Sequence, residues 1–128
     1  MLLPLIFGAA AAVIAGYNTM APRSQLYGRT FIGENPGSRR LALTFDDGPN
    51  DPHTLRLLDV LARHNVRATF FMVGSFVDKR PDIARAVATA GHTIGNHTAT
   101  HPTLIFRNDR TIRRQIEQCA RSLDDAGE

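Results

Sequence analysis

Hydrophobic positions recur along residues 41–127 with a spacing that switches between two and nearly four. In Leu41–Asp46, Leu41, Leu43 and Phe45 alternate with Ala42, Thr44 and Asp46, the two-residue period of a strand. From Asp51 the period lengthens. Leu55, Leu58, Leu61 and Ala62 share one face of a predicted helix that Asp51 can cap and whose first turn accepts Pro52. Arg67–Val73 predicts the next strand, and Lys79–Asp82 opens a second helix with Ile83, Ala84, Val87 and Ala88 in one stripe, ending at Gly91. A short strand follows at Thr93–Asn96. Asn108 or Asp109 then caps a last helix whose Ile112, Ile116, Cys119, Ala120 and Leu123 share a face. Three β-α units in succession predict an α/β fold with parallel strands and right-handed crossovers, with the reactive side chains gathered at the strands' C-terminal ends.

The first part of the chain has no such alternation. Met1 to Gly16 is almost wholly apolar, no charged residue occurs before Arg23, and extension through Tyr17 to Pro22 reaches a marginal membrane-spanning length. A basic segment at the very start is absent, and Val13-Ile14-Ala15 before Gly16 is a fair cleavage candidate. Residues 1–22 are therefore expected to form a hydrophobic helix that serves as a membrane anchor or signal segment, with the anchor favoured. Residues 23–38, rich in Gly, Pro, Asn and Ser and without a sustained period, read as a linker, which leaves 39–128 as the folded domain, expected outside the cytoplasm.

Composition narrows the function classes. With 43% hydrophobic and 21% charged residues, the chain is of globular rather than disordered type. The net charge of +3 is spread over scattered arginines with no aromatic-interleaved basic stripe, which argues against a nucleic-acid partner. Cys119, the lone cysteine, makes no internal disulfide and reads as a small buried hydrophobe on the last helix.

Two short strings carry the chemistry: Thr44-Phe-Asp-Asp-Gly-Pro49 and His97-Thr-Ala-Thr-His-Pro102. Asp46 and Asp47 end the first predicted strand, where Gly48-Pro49 breaks the extended run. Successive side chains there point in different directions, so one carboxylate can bind a metal while its neighbour faces a reacting water. His97 and His101 are four residues apart. That spacing aligns both rings on a helical turn, and it also converges them on one ion in a tight loop closed by Pro102. Neutral imidazole with carboxylate suits zinc or a similar divalent ion, and three protein ligands leave a position open for water or substrate. Each string alone is weak, since Asp-Asp before Gly-Pro also reads as a plain turn. Their joint occurrence after successive predicted strands points to a metal-dependent hydrolase. His53, His64 and His92 have no paired partner in the sequence and read as surface or capping residues.

Thr44–Gly48 resembles the first motif of the polysaccharide deacetylases that carry the NodB homology domain, and His97–Pro102 resembles their second, H-S/T-x-x-H-P. Arg67–Gly74 and Ala90–Asn96 look like the segments joining these motifs, so the resemblance runs from Arg39 to the C-terminus. It implies a distorted (β/α) barrel and hydrolysis of N-acetyl groups on the amino sugars of a polysaccharide. It also implies Asp46 as general base and Asp47, His97 and His101 as ligands of a divalent metal, Zn2+ before others. Members of the family continue with an R-x-P-Y-like segment, an aspartate- and aromatic-bearing segment and a late L-x-H segment that supplies the general acid. None of these is in this sequence, so the resemblance implies the front half of the domain, an incomplete barrel without the expected general acid. A metal- or sugar-binding module without catalysis and a fragment without function are the alternatives.

Overall fold

Phe70 and Met72, both buried, alternate along β2 (Thr69–Met72) with the half-buried Thr69 and Phe71, so this strand is covered on both faces and lies at the centre of the sheet. It pairs in parallel with β1 (Thr44–Gly48) on one side and β3 (Thr93–Asn96) on the other, in the order β1-β2-β3. The computed structural model describes residues 2–127 apart from 22, 27, 30–32 and 34–36. By internal contacts the chain divides into two units, residues 1–41 and 42–128.

The first unit contains α1 (Leu2–Met20). Among the described residues no helix is long and apolar enough to cross a membrane, so the structure gives the expected anchor no support. The last turn of α1 is polar: Asn18 donates to the Ile14 carbonyl and Thr19 to that of Ala15, each four residues back. The apolar run that precedes it, Leu2 to Gly16, spans about 22 Å as a helix, short of the roughly 30 Å hydrocarbon core. Pro22, the expected end of that segment, and much of the expected linker lie outside the described residues.

The second unit is the α/β part: β1, α2 (His53–Arg63), β2, α3 (Gly74–Val77), α4 (Pro81–Thr89), β3 and α5 (Asp109–Gly127). Its core joins Leu58 and Leu61 of α2, Phe70 and Met72 of β2, Val77 of α3 and Val87 of α4. Burial of Ile83 and Val87 holds α4, at about 1.5–3 kcal/mol for each such side chain. The exposed ion pair of Arg80 with Asp82 at its start is screened by solvent and adds little.

Several boundaries differ from the sequence reading for identifiable reasons. β1 starts at Thr44 rather than Leu41, because pairing with β2 begins at Thr44 opposite Thr69; Leu41 is 83% exposed. Asp51 does not cap α2, since its carboxylate pairs with Arg80. Thr54 is buried there in place of the exposed Leu55, and its hydroxyl accepts the Asn50 N–H at 2.8 Å. Asn108 does cap α5, its side-chain oxygen accepting the Thr111 N–H at 2.9 Å. The buried face of α5 carries Gln115, Cys119 and Ala126, while Ile116 is half exposed. The short α3 was not expected from the pattern at all. Gly91 ends α4 with a φ of +77°, the left-handed backbone that glycine adopts without strain.

Candidate metal centre

The C-terminal ends of the strands are drawn together by main-chain bonds that continue the ladder past the strands themselves. The Val73 N–H donates to Gly48 O at 2.8 Å, and the His97 N–H to Met72 O at 2.9 Å. His97 thus leaves β3 directly beside the end of β2. Its ring is tilted beside Phe71, with centroids 6.3 Å apart. On the other flank, the pairing register shifts between Phe45 and Gly48, and Asp47 takes a φ of 62°. This irregularity turns the Asp47 side chain out of the strand alternation, and Asn50 donates to its main-chain oxygen at 3.0 Å.

Between the two histidines the chain makes a tight loop, not a helical turn. Thr98 and His101 have φ of 67° and 53°, left-handed values uncommon for residues with a Cβ. Hydrogen bonds hold the loop from within: the Thr98 N–H to Asn96 Oδ1 at 3.0 Å and the His101 N–H to Thr98 Oγ1 at 3.0 Å. Others hold it from outside. The Gly74 and Ser75 N–H groups at the start of α3 donate to Thr98 O and Ala99 O, at 3.0 and 2.8 Å.

The result is a three-donor cluster. Asp47 Oδ1 lies 3.2 Å from His97 Nε2 and 3.3 Å from His101 Nε2, and one ligand atom of each residue lies within 4.8 Å of the others. Donor atoms bonded to a tetrahedral zinc at about 2.0–2.1 Å are spaced by about 3.3 Å, so the two carboxylate–imidazole distances match what such an ion requires. Two imidazoles and one carboxylate is also a donor set suited to a divalent ion with an open position. The Asp47 and His101 side chains are more than half exposed and that of His97 about a quarter, so the cluster is reachable from solvent. The structure therefore brings together Asp47, His97 and His101. Asp46, the preceding residue of β1, is exposed and stands outside the three-donor group.

The other histidines and the cysteine lie elsewhere. His92 Nδ1 accepts the Ala68 N–H at 3.2 Å, and His64 sits at the C-terminus of α2. Cys119 is fully buried and its thiol donates to Met72 O; burial pushes that thiol's pKa up, which suits an inert packing residue. Asn96 and Gln115, which hold the histidine loop, escaped the sequence reading. A signal for Gln115 was present, because it stands four residues before Cys119 on an otherwise apolar stripe.

The family profile described as polysaccharide deacetylase matches residues 33–128, starting a little before Arg39. The chain belongs to the polysaccharide deacetylase family. It is similar to the chitooligosaccharide deacetylase of Rhizobium leguminosarum bv. trifolii, 48% identical over 96 residues, covering 70% of this chain and 45% of that one. It is also similar to the peptidoglycan-N-acetylglucosamine deacetylase of Bacillus cereus, 50% identical over 76 residues, 59% of this chain and 28% of that one. Among solved structures, a family 4 acetyl xylan esterase from Clostridium thermocellum in complex with a cobalt ion aligns with a TM-score of 0.64 at 38% identity. That alignment covers 67% of this chain and 42% of the esterase. The chain thus spans less than half the length of each of these relatives.

Proposed function

We propose that residues 39–128 are part of the catalytic domain of a metal-dependent deacetylase that removes N-acetyl groups from the amino sugars of a polysaccharide outside the cytoplasm. The observation that carries this reading is the convergence of Asp47, His97 and His101 to distances suited to one divalent ion, at the C-terminal end of a parallel sheet. The kinship with chitooligosaccharide and peptidoglycan-N-acetylglucosamine deacetylases supports the substrate class. A (β/α) barrel is the architecture that continues this succession of β-α units.

In this reading Asp47, His97 and His101 hold the ion, with Zn2+ the first choice from the donor set. When bound, the metal supplies polarisation of the acetamide carbonyl and a lowered pKa for water. Asp46, next in chain to a ligand and exposed, accepts the proton of the attacking water. The imidazoles of His97 and His101 would offer their Nε2 lone pairs to the ion, and the Phe71 ring lies beside that of His97.

The test is acetate release from an N-acetylglucosamine oligomer by the full chain, with zinc content determined on the same sample. Any acetate release by this chain is expected to depend on the metal, and Asp46→Asn should lower it by about 10²- to 10⁴-fold, the usual contribution of a general base, while metal content stays unchanged. Metal bound without acetate would mean half a catalytic site or a non-catalytic binding module. A folded protein that takes up no metal would overturn the ligand assignment.

A further inference from the structure

The side chain of Gln115 is one of the few polar groups buried in the α/β unit, 7% exposed on the inner face of α5. It is buried against the loop that carries the histidines. Its Oε1 accepts the Thr100 main-chain N–H at 2.9 Å and lies 3.4 Å from Thr100 Oγ1, and its Nε2 donates to that hydroxyl at 3.1 Å. Since a main-chain N–H only donates, that bond fixes which end of the amide is the oxygen. Thr100 immediately precedes His101, whose Nε2 faces Asp47. Gln115 is therefore hydrogen-bonded to the neighbour of a proposed ligand, and none of its hydrogen bonds goes to the three residues themselves.

Packing alone does not account for a glutamine here. The same face of α5 is otherwise lined by Cys119 and Ala126, and an apolar side chain of similar volume would fill the site without a buried amide to satisfy. What glutamine adds is directional. Thr98 and His101 both hold left-handed backbone, which persists where the surroundings over-determine it. Gly74 and Ser75 fix the first half of the loop through Thr98 O and Ala99 O. For the second half the bond from outside the loop is the one to Gln115. In the same turn of α5, the Ile116 carbonyl accepts Asn96 Nδ2, so one stretch of helix grips both ends of the segment from Asn96 to Thr100.

We propose that Gln115 is a positioning residue of the metal centre: through Thr100 it sets the orientation of the His101 imidazole toward Asp47, and with it the affinity and geometry of the bound ion. This rests on the reading of Asp47, His97 and His101 as ligands. The test compares the full 128-residue chain with Gln115→Met and Gln115→Glu. Three quantities are read: zinc affinity by competition with a chromophoric chelator, the visible spectrum of the Co2+-loaded protein, and the melting temperature of the metal-free protein. Glutamate keeps the acceptor for the Thr100 N–H; methionine removes it. Gln115→Met should weaken zinc binding by about 10- to 100-fold, the range found when a residue that orients a metal ligand is removed, and should shift the Co2+ bands. Gln115→Glu should return both toward wild type. If Gln115→Met only lowers the melting temperature, with affinity within about twofold and Co2+ bands unchanged, Gln115 is a packing residue and the proposal fails. If Gln115→Met does not fold, Gln115→Asn, which keeps the amide but falls one methylene short of Thr100, is judged by the same criteria. A wild-type chain that binds neither zinc nor Co2+ overturns the ligand reading itself, a failure distinct from unaltered binding by the variants.

Discussion

Asp47, Thr98 and His101 all hold positive φ angles, and all belong to the two strings that meet at the cluster. A non-glycine residue in that region costs of the order of 1–3 kcal/mol, so the local hydrogen bonds and the sheet register must hold each one in place. At Asp47 the side chain makes this worthwhile: the turned backbone is what sends Oδ1 toward both imidazoles. Asp47→Ala removes one of three donors and should weaken zinc binding by more than about a hundredfold, beyond the loss that removing an outer hydrogen-bond partner produces. Chelator competition measures this directly, and an affinity close to wild type would exclude Asp47 as a ligand.

At the scale of elements, the short α3 sets how closely α5 approaches the histidine loop. A Cβ added to Gly74 would stand 3.0 Å from the Cys119 Cα and 3.3 Å from the Ala99 Cα, both main-chain atoms that cannot turn aside. Gly74→Ala should force α5 and the loop apart and cost about 1–3 kcal/mol, read as a lower urea midpoint with unchanged slope. An unaltered midpoint would mean that the packing of α3 on α5 is looser than described. α3 was illegible in the sequence because four residues carry no helical period, and its Gly74 reads as a strand terminator. The longer elements were legible, since Ile83, Ala84 and Val87 repeat at helical spacing and Phe70 and Met72 at strand spacing. The two strings of the site were legible as well, but Asp47's turn out of the strand was not, because a register shift depends on the partner strand. Gln115 was visible only as a polar break in the apolar stripe of α5, and its role was not: tertiary contact alone distinguishes a polar residue that braces a loop from one that faces water.

For the molecule as a whole, the cluster joins segments fifty residues apart in sequence, so an ion bound there ties β1 to the loop after β3. Binding restricted to the folded state stabilises it by about 2.7 kcal/mol at a free-ion concentration of 100 Kd. The melting temperature should rise with added zinc, return on chelation, and not respond in Asp47→Ala; scanning calorimetry or circular dichroism would show it. A melting temperature indifferent to zinc would argue that the three side chains do not converge in solution. One atom near the middle of this arrangement has a practical use. The Met72 carbonyl oxygen accepts both the His97 N–H and the Cys119 thiol, joining the central strand to the histidine loop and to α5. The chain has only three methionines, the others being Met1 and Met20. A protein grown with carbonyl-13C methionine would therefore carry one label at this junction, a spectroscopic reporter of whether the sheet, the loop and the last helix are docked on one another.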